Sequence, residues 1–97
     1  MLTGKQKRYL RSMAHNIDPI FQVGKGGVNE NMIKQINEAL EVRELIKISV
    51  LKNSLEETDV SAETIVIGTK AELVQIIGHT IVLYKESKEN KEIILPK

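Results

Sequence analysis

Ile20-Phe21-Gln22-Val23-Gly24-Lys25-Gly26-Gly27-Val28-Asn29 is the stretch around which the rest of the chain can be arranged. Its first four residues form a largely apolar, β-prone run, and Pro19 pushes Asp18 toward extended geometry, so a strand is predicted over Ile20 to Val23. Three of the chain's six glycines then fall between positions 24 and 27. A glycine accepts φ > 0 and lets another molecule's backbone come close, at an entropic cost that needs a reason. Asn29 is suited to cap a following helix, and Val28 and Ile33 are spaced as a hydrophobic staple. Met32, Ile33, Ile36, Ala39 and Leu40 recur with helical period, so the helix should run from Asn29 to about Leu40 or Glu41. The free amides of the turn and of the helix start then point where anions bind.

Working outward, Ile46, Ile48 and Val50 alternate with Lys47 and Ser49, which predicts a strand over Leu45 to Leu51 with one face buried and the other partly wet. Strand, helix, strand in this order implies a right-handed parallel crossover. On the N-terminal side, Thr3 and Gln6 have the spacing of a capping box, and a helix is predicted from Thr3 to about Ala14. Tyr9, Leu10 and Met13 cluster on one side of it, while Lys7, Arg8 and Arg11 project from the other with Lys5 near the edge. On the C-terminal side, Ser54 and Glu57 are spaced as a second capping box ahead of a segment ending near Lys70. Thr64-Ile65-Val66-Ile67 is β-prone, but Ala62, Ile65, Val66 and Thr69 share a helical face, and helix is the reading adopted. Leu73 to Ile77 and Thr80 to Lys85 flank Gly78-His79 as a two-residue hairpin. Ser87 to Glu92 reads as a mobile polar turn, and Ile93 to Leu95 as a short edge segment stopped by Pro96.

The 97 residues, 41% hydrophobic and 28% charged, suit one globular domain. There is no internal repeat and no linker. No apolar run approaches the roughly 20 residues of a membrane span, and the charged N-terminal helix is unlike a signal peptide. A cytoplasmic protein is expected. The absence of cysteine excludes a disulfide framework, a thiolate metal site and a cysteine nucleophile. Net charge is only +1, but it is segregated. Residues 1–34 carry six basic side chains against two acidic ones, and the remainder eight against eleven. The basic N-terminal third can offer a local phosphate-binding face.

The glycine turn is not a Walker loop, because Lys25 stands inside the glycines, and it departs from a dinucleotide fingerprint at Asn29. A plain strand-to-helix connection would need one or two glycines, not three with an exposed lysine. Gly24-Lys25-Gly26-Gly27 does satisfy G-x-x-G, the loop with which KH-type modules clamp RNA backbone. Catalysis has little support. His15 and His79 are far apart, no set of side chains has metal-ligand spacing, and the serines lack a nucleophile-elbow pattern. His79 reads as a turn residue, and the acidic residues after Glu38 as a solvated face. Aromatic content is 3%. Tyr9 and Phe21 are assigned to the core, leaving Tyr84 at a strand end as a stacking candidate. Recognition should therefore rest on backbone and shape more than on stacking.

Leu2-Thr3-Gly4-Lys5-Gln6-Lys7 with Leu10 and Ala14-His15, the G-x-x-G turn, Leu45-Ile46-Lys47-Ile48, the Val74 to Lys85 hairpin and the closing Leu95-Pro96-Lys97 together resemble the stand-alone bacterial YhbY-type CRM domain (chloroplast RNA splicing and ribosome maturation). The likeness extends over nearly the whole chain. It implies an RNA-binding module similar in fold to the C-terminal domain of bacterial translation initiation factor 3, and it supports helix for residues 56–69. It also implies a link to precursors of the large ribosomal subunit, with the G-x-x-G and neighbouring basic surface as the RNA contact.

The expected fold is a two-layer α+β arrangement, helix-strand-helix-strand-helix-strand-strand, with a mixed four-stranded sheet. The expected site is a clamp. Gly24, Lys25, Gly26, Gly27 and the capping Asn29 hold phosphates, and Lys5, Lys7, Arg8, Arg11 and Lys34 extend the footprint. The expected partner is RNA, ribosomal RNA or a pre-50S particle, bound by a monomer without cofactor, metal, membrane or small-molecule substrate. The competing expectation is a protein-interaction module whose basic helix docks an acidic partner. A nucleotide-binding enzyme ranks behind both.

Overall fold

The computed structural model describes residues 1–97. Its elements, in chain order, are α1 (Gly4–Ala14), β1 (Pro19–Val23), α2 (Glu30–Arg43), β2 (Leu45–Val50), α3 (Thr58–Thr69), β3 (Glu72–Ile77) and β4 (Thr80–Tyr84). Two helix starts follow local rules. The Thr3 hydroxyl accepts from Gln6 N–H at 3.1 Å while the Gln6 carboxamide accepts from Thr3 N–H at 3.0 Å, completing the box. Asn29 Oδ1 accepts from Met32 N–H at 2.9 Å. The third start differs from expectation. Glu57 is the N-cap of α3 and makes no side-chain cap, so the Ser54–Glu57 box does not form. Ser54 Oγ instead accepts from Glu56 N–H at 3.3 Å, within the loop. The β-prone run 64–67 is helical, as adopted above, with Ala62 and Ile65 fully buried.

The sheet order is β1-β2-β4-β3, with β1 parallel to β2 and both hairpin pairings antiparallel. Alternation along the strands splits the core in two. Ile46, Ile48 and Val50 of β2 with Ile81 and Leu83 of β4 meet Ile36 and Leu40 of α2 and Ala62 and Ile65 of α3. The intervening Leu45, Val82 and Tyr84, with Val74, meet Leu10 and Ala14 of α1. A side-chain period of two sends neighbours to opposite faces, so α1 lies across the sheet from α2 and α3. The layering is therefore three deep, where two layers were expected, because β2 and β4 are apolar on both faces. Tyr84 is buried at 5% exposure, which removes it as a stacking residue, and Tyr9 is 42% exposed on the outer side of α1, not in the core.

Beyond β4 the chain is tied down, in contrast to the mobile turn expected there. Glu44 follows α2 at φ 64 and is 1% exposed. Its carboxylate accepts from the N–H groups of Ser87 (2.8 Å), Glu92 (2.8 Å) and Ile93 (2.9 Å). Burial opposes its ionisation, but the three backbone donors together hold the carboxyl below its ordinary range. Glu41, one turn earlier, accepts from Lys88 N–H, the Ser87 hydroxyl and Glu89 N–H, which lower its pKa to about 2. The sequence suggests a solvated face for these acids, because a carboxylate whose donors lie 43 to 49 residues farther along the chain gives no local signal. Ile93 is buried against α1 and adds no strand to the sheet. Leu95 packs beside it, and Gln6 Nε2 donates to Pro96 O at 3.0 Å. The tail thus fixes one flank of α1.

Candidate nucleic-acid interface

The glycine turn closes tightly, with Gly27 N–H donating to Gly24 O at 3.1 Å. Leu51 N–H donates to Val23 O at 3.0 Å and Leu55 N–H to Lys25 O at 3.1 Å, so the loop after β2 braces the turn from one side. Glu56 closes it from beneath. Its Oε1 accepts from Val28 N–H at 2.9 Å and from Ser61 Oγ at 3.2 Å. Gly27 has φ +80, and a Cβ there would stand 2.5 Å from Glu56 Oε1, so both backbone and packing require glycine. Gly24 and Gly26 are different. A Cβ at either would meet nothing within 4 Å, and neither has a left-handed φ. Nothing inside the fold accounts for their lack of a side chain.

These bonds also decide which amides are free. Gly27 N–H and Val28 N–H are taken, which narrows the expected clamp, while the N–H groups of Lys25 and Gly26 at the tip have no acceptor in the protein. The start of α2 is capped by Asn29 and carries Glu30 in its first turn, whose charge already answers the helix dipole. The tip is thus where free backbone donors remain. Lys25 is exposed there, and Lys52, passed over in the sequence, is exposed in the bracing loop.

The ten expected residues fall into two groups. Gly24, Lys25, Gly26, Gly27, Asn29 and Lys34 belong to the turn and α2, while Lys5, Lys7, Arg8 and Arg11 belong to α1 on the other side of the sheet. The structure does not bring Lys34 and the α1 cations onto one face. The orientation of α1 nevertheless relates its cations to the turn. Its N-terminal end lies by the start of β3, where the Met1 amino group is 3.0 Å from Glu72 Oε1, and its C-terminal end leads to the start of β1. It therefore crosses the sheet at the end away from the turn. With the tail on the Gln6 flank, helical period puts Lys7 and Arg11 on the opposite flank, facing the turn end. Both are half-buried, and Lys5 and Arg8 are exposed. No carboxylate neutralises any of them, since the only ion pairs are Met1–Glu72 and Lys91–Glu86.

No group of three or more His, Cys, Asp or Glu is placed to hold a metal ion, and no helix is long and apolar enough to cross a membrane. Comparison with known proteins gives a consistent picture. The model of the CRS1 / YhbY (CRM) domain matches residues 2–85. The chain is 71% identical over 96 residues to "Probable RNA-binding protein YqeI" of Bacillus subtilis (strain 168), covering 99% of this chain and 100% of that protein. It is 41% identical over 96 residues to "RNA-binding protein" of Haemophilus influenzae, covering 99% and 96%. Among solved structures, the solution structure of protein SAV1595 from Staphylococcus aureus superposes with a TM-score of 0.82 at 69% identity, covering 99% of this chain and 100% of that one.

Proposed function

The chain belongs to the CRS1 / YhbY (CRM) domain family, and from that premise we propose that it is a non-catalytic RNA-binding protein that holds RNA backbone at the Gly24–Gly27 turn. The observation that carries the reading is the open space at Gly24 and Gly26, where the fold tolerates a side chain and the sequence has none. A phosphate can reach the Lys25 and Gly26 amides there without meeting a Cβ, and Lys25 adds the mobile cation. Lys7, Arg8 and Arg11 on α1 extend the footprint, with Lys5 at its margin; Lys34 and Asn29 contact only RNA that bends around the turn. The RNA is ribosomal, bound during assembly of the large subunit by a cytoplasmic monomer. The names of the relatives support RNA as the ligand, and the charge segregation supports where it lies.

Salt dependence tests this directly. If about five phosphates are contacted, log K against log[salt] on single-stranded RNA should have a slope near −3.5, at about −0.7 per contact. Lys25→Ala should flatten that slope by about one contact's worth, roughly 0.7. A salt-independent affinity, or one unchanged by Lys25→Ala together with Gly26→Asp, rejects the clamp. Crosslinking in cells, followed by sequencing of the bound RNA, tests the ribosomal assignment; absence of large-subunit RNA among the products rejects it.

A further inference from the structure

Between the basic flank of α1 and the turn end, the sheet face under α1 is uncovered. Register places Gln22 beside Ser49, Ser49 beside Thr80, and Thr80 beside Ile77, one unbroken row through all four strands at the turn end. Ser49 has the parity of Leu45, and Thr80 that of Val82 and Tyr84, so the row is on the face that α1 covers farther down. Gln22 and Ile77 are exposed, and Ser49 and Thr80 are half-buried. The next row holds Lys47, paired with Val82, and Gln75, so Lys47 stands between the polar row and the Lys7–Arg11 flank. The only acidic residue in any strand is Glu72, at the far end and bound to the Met1 amino group.

We propose that this uncovered face is a second RNA-binding surface, a floor on which one RNA strand lies between Lys7, Arg11 and Lys47 and the turn, with its ribose hydroxyls bound by Gln22, Ser49 and Thr80. The inference rests on the RNA-binding reading above and adds what that reading lacks, a surface joining two cation groups on different elements. The floor spans four strands, about 14 Å, and about 7 Å along them from the Lys47 row to the Ser49 row. Cations at its edge and no carboxylate on it suit a polyanion. Side chains that both donate and accept suit the 2′-hydroxyl, which also does both. With no aromatic residue on the floor, base stacking is not what it offers; Ile77 at its margin gives an apolar contact only. A strand held by its sugars should be recognised as RNA and not as DNA.

The test compares single-stranded RNA and DNA oligonucleotides of one sequence on the full chain. The wild type should prefer RNA, and Gln22→Ala with Ser49→Ala and Thr80→Val should weaken RNA binding roughly tenfold, from two or more lost hydrogen bonds, while leaving DNA binding unchanged. Lys47→Gln should weaken both ligands and reduce both salt slopes. Because strand substitutions can disturb folding, amide NMR shifts of the wild type give an independent reading. On adding RNA, Gln22, Ser49 and Thr80 should move together with Lys25 and Gly26. Movement confined to residues 24–29, or equal affinity for RNA and DNA, overturns the floor and leaves the turn clamp standing. Displacement of RNA by polyglutamate at equal charge concentration overturns RNA as the occupant in favour of an acidic polypeptide. If the wild type binds no RNA at all, the functional reading itself fails.

Discussion

Gly26→Ala and Gly27→Ala, one residue apart, should separate fold from function. At Gly27 the new methyl would occupy a φ of +80, which costs a non-glycine residue about 1–2 kcal/mol. It would also stand 2.5 Å from Glu56 Oε1, so the carboxylate must leave Val28 N–H and Ser61 Oγ. Each of these two hydrogen bonds to a charged group contributes about 1.5–3 kcal/mol, so with the backbone cost a total loss of about 4 kcal/mol or more is expected. In a chain of this size each kcal/mol lowers Tm by about 4–8 °C, making the effect plain in a thermal melt or a urea titration. At Gly26 the methyl meets nothing, and restricting the unfolded chain should leave stability unchanged or raise it by about 0.4–1 kcal/mol. Yet Gly26→Ala should weaken RNA binding by about tenfold or more, the worth of one charge-assisted contact kept out of reach. Titration of a labelled RNA at fixed salt reads this directly. If Gly26→Ala binds RNA as the wild type does, the open glycines are not there for a ligand, and the turn does not hold the RNA backbone. If it destabilises as much as Gly27→Ala, Gly26 does not stand in open space.

Glu44→Ala would strand the N–H groups of Ser87 and Ile93 in a buried site, and a loss of about 3 kcal/mol should appear in urea unfolding, with accelerated hydrogen exchange at both amides. Acid should act on the same place. Glu41 and Glu44 both have folded pKa values below their unfolded ones, so their contribution is complete above about pH 4.5 and is lost at lower pH, for Glu41 as pH falls toward 2; exchange at Lys88 and Glu89, the amides held by Glu41, should rise across that window, ahead of β2 and β4. A tail equally protected at pH 2.5 and pH 6 would contradict this. Thr3→Ala removes one half of the α1 capping box and should cost about 1 kcal/mol, read by circular dichroism during urea unfolding. RNA affinity measured well below that transition should hold, because Thr3 orders the helix and touches none of the cations' partners.

What could be read from the chain alone was whatever is settled within a few residues. Thr3 with Gln6 and Asn29 before Met32 are caps whose donors lie three residues away, and they form as spaced. The alternation in β2, the helical period of α2 and the Gly78-His79 hairpin are equally local, and they carried the order of elements. The family resemblance, carried by motifs spread along the chain, is matched by the domain model over residues 2–85. Tertiary structure decided the rest, because the deciding partner was distant in sequence. Glu56 is drawn to the turn 28 residues earlier, Ser54 turns to Glu56 N–H, and the predicted cap of α3 gives way to that loop. Glu44 looks like one more surface acid until Ser87, Glu92 and Ile93 close around it. Most of all, the sequence contains a basic helix and a glycine turn but not their relation. Helical period gives each side chain an angle about α1, and strand period gives each side chain a face of the sheet; only packing says which face α1 covers. That choice put the α1 cations across the sheet from α2 and left the Gln22, Ser49 and Thr80 row between them and the turn.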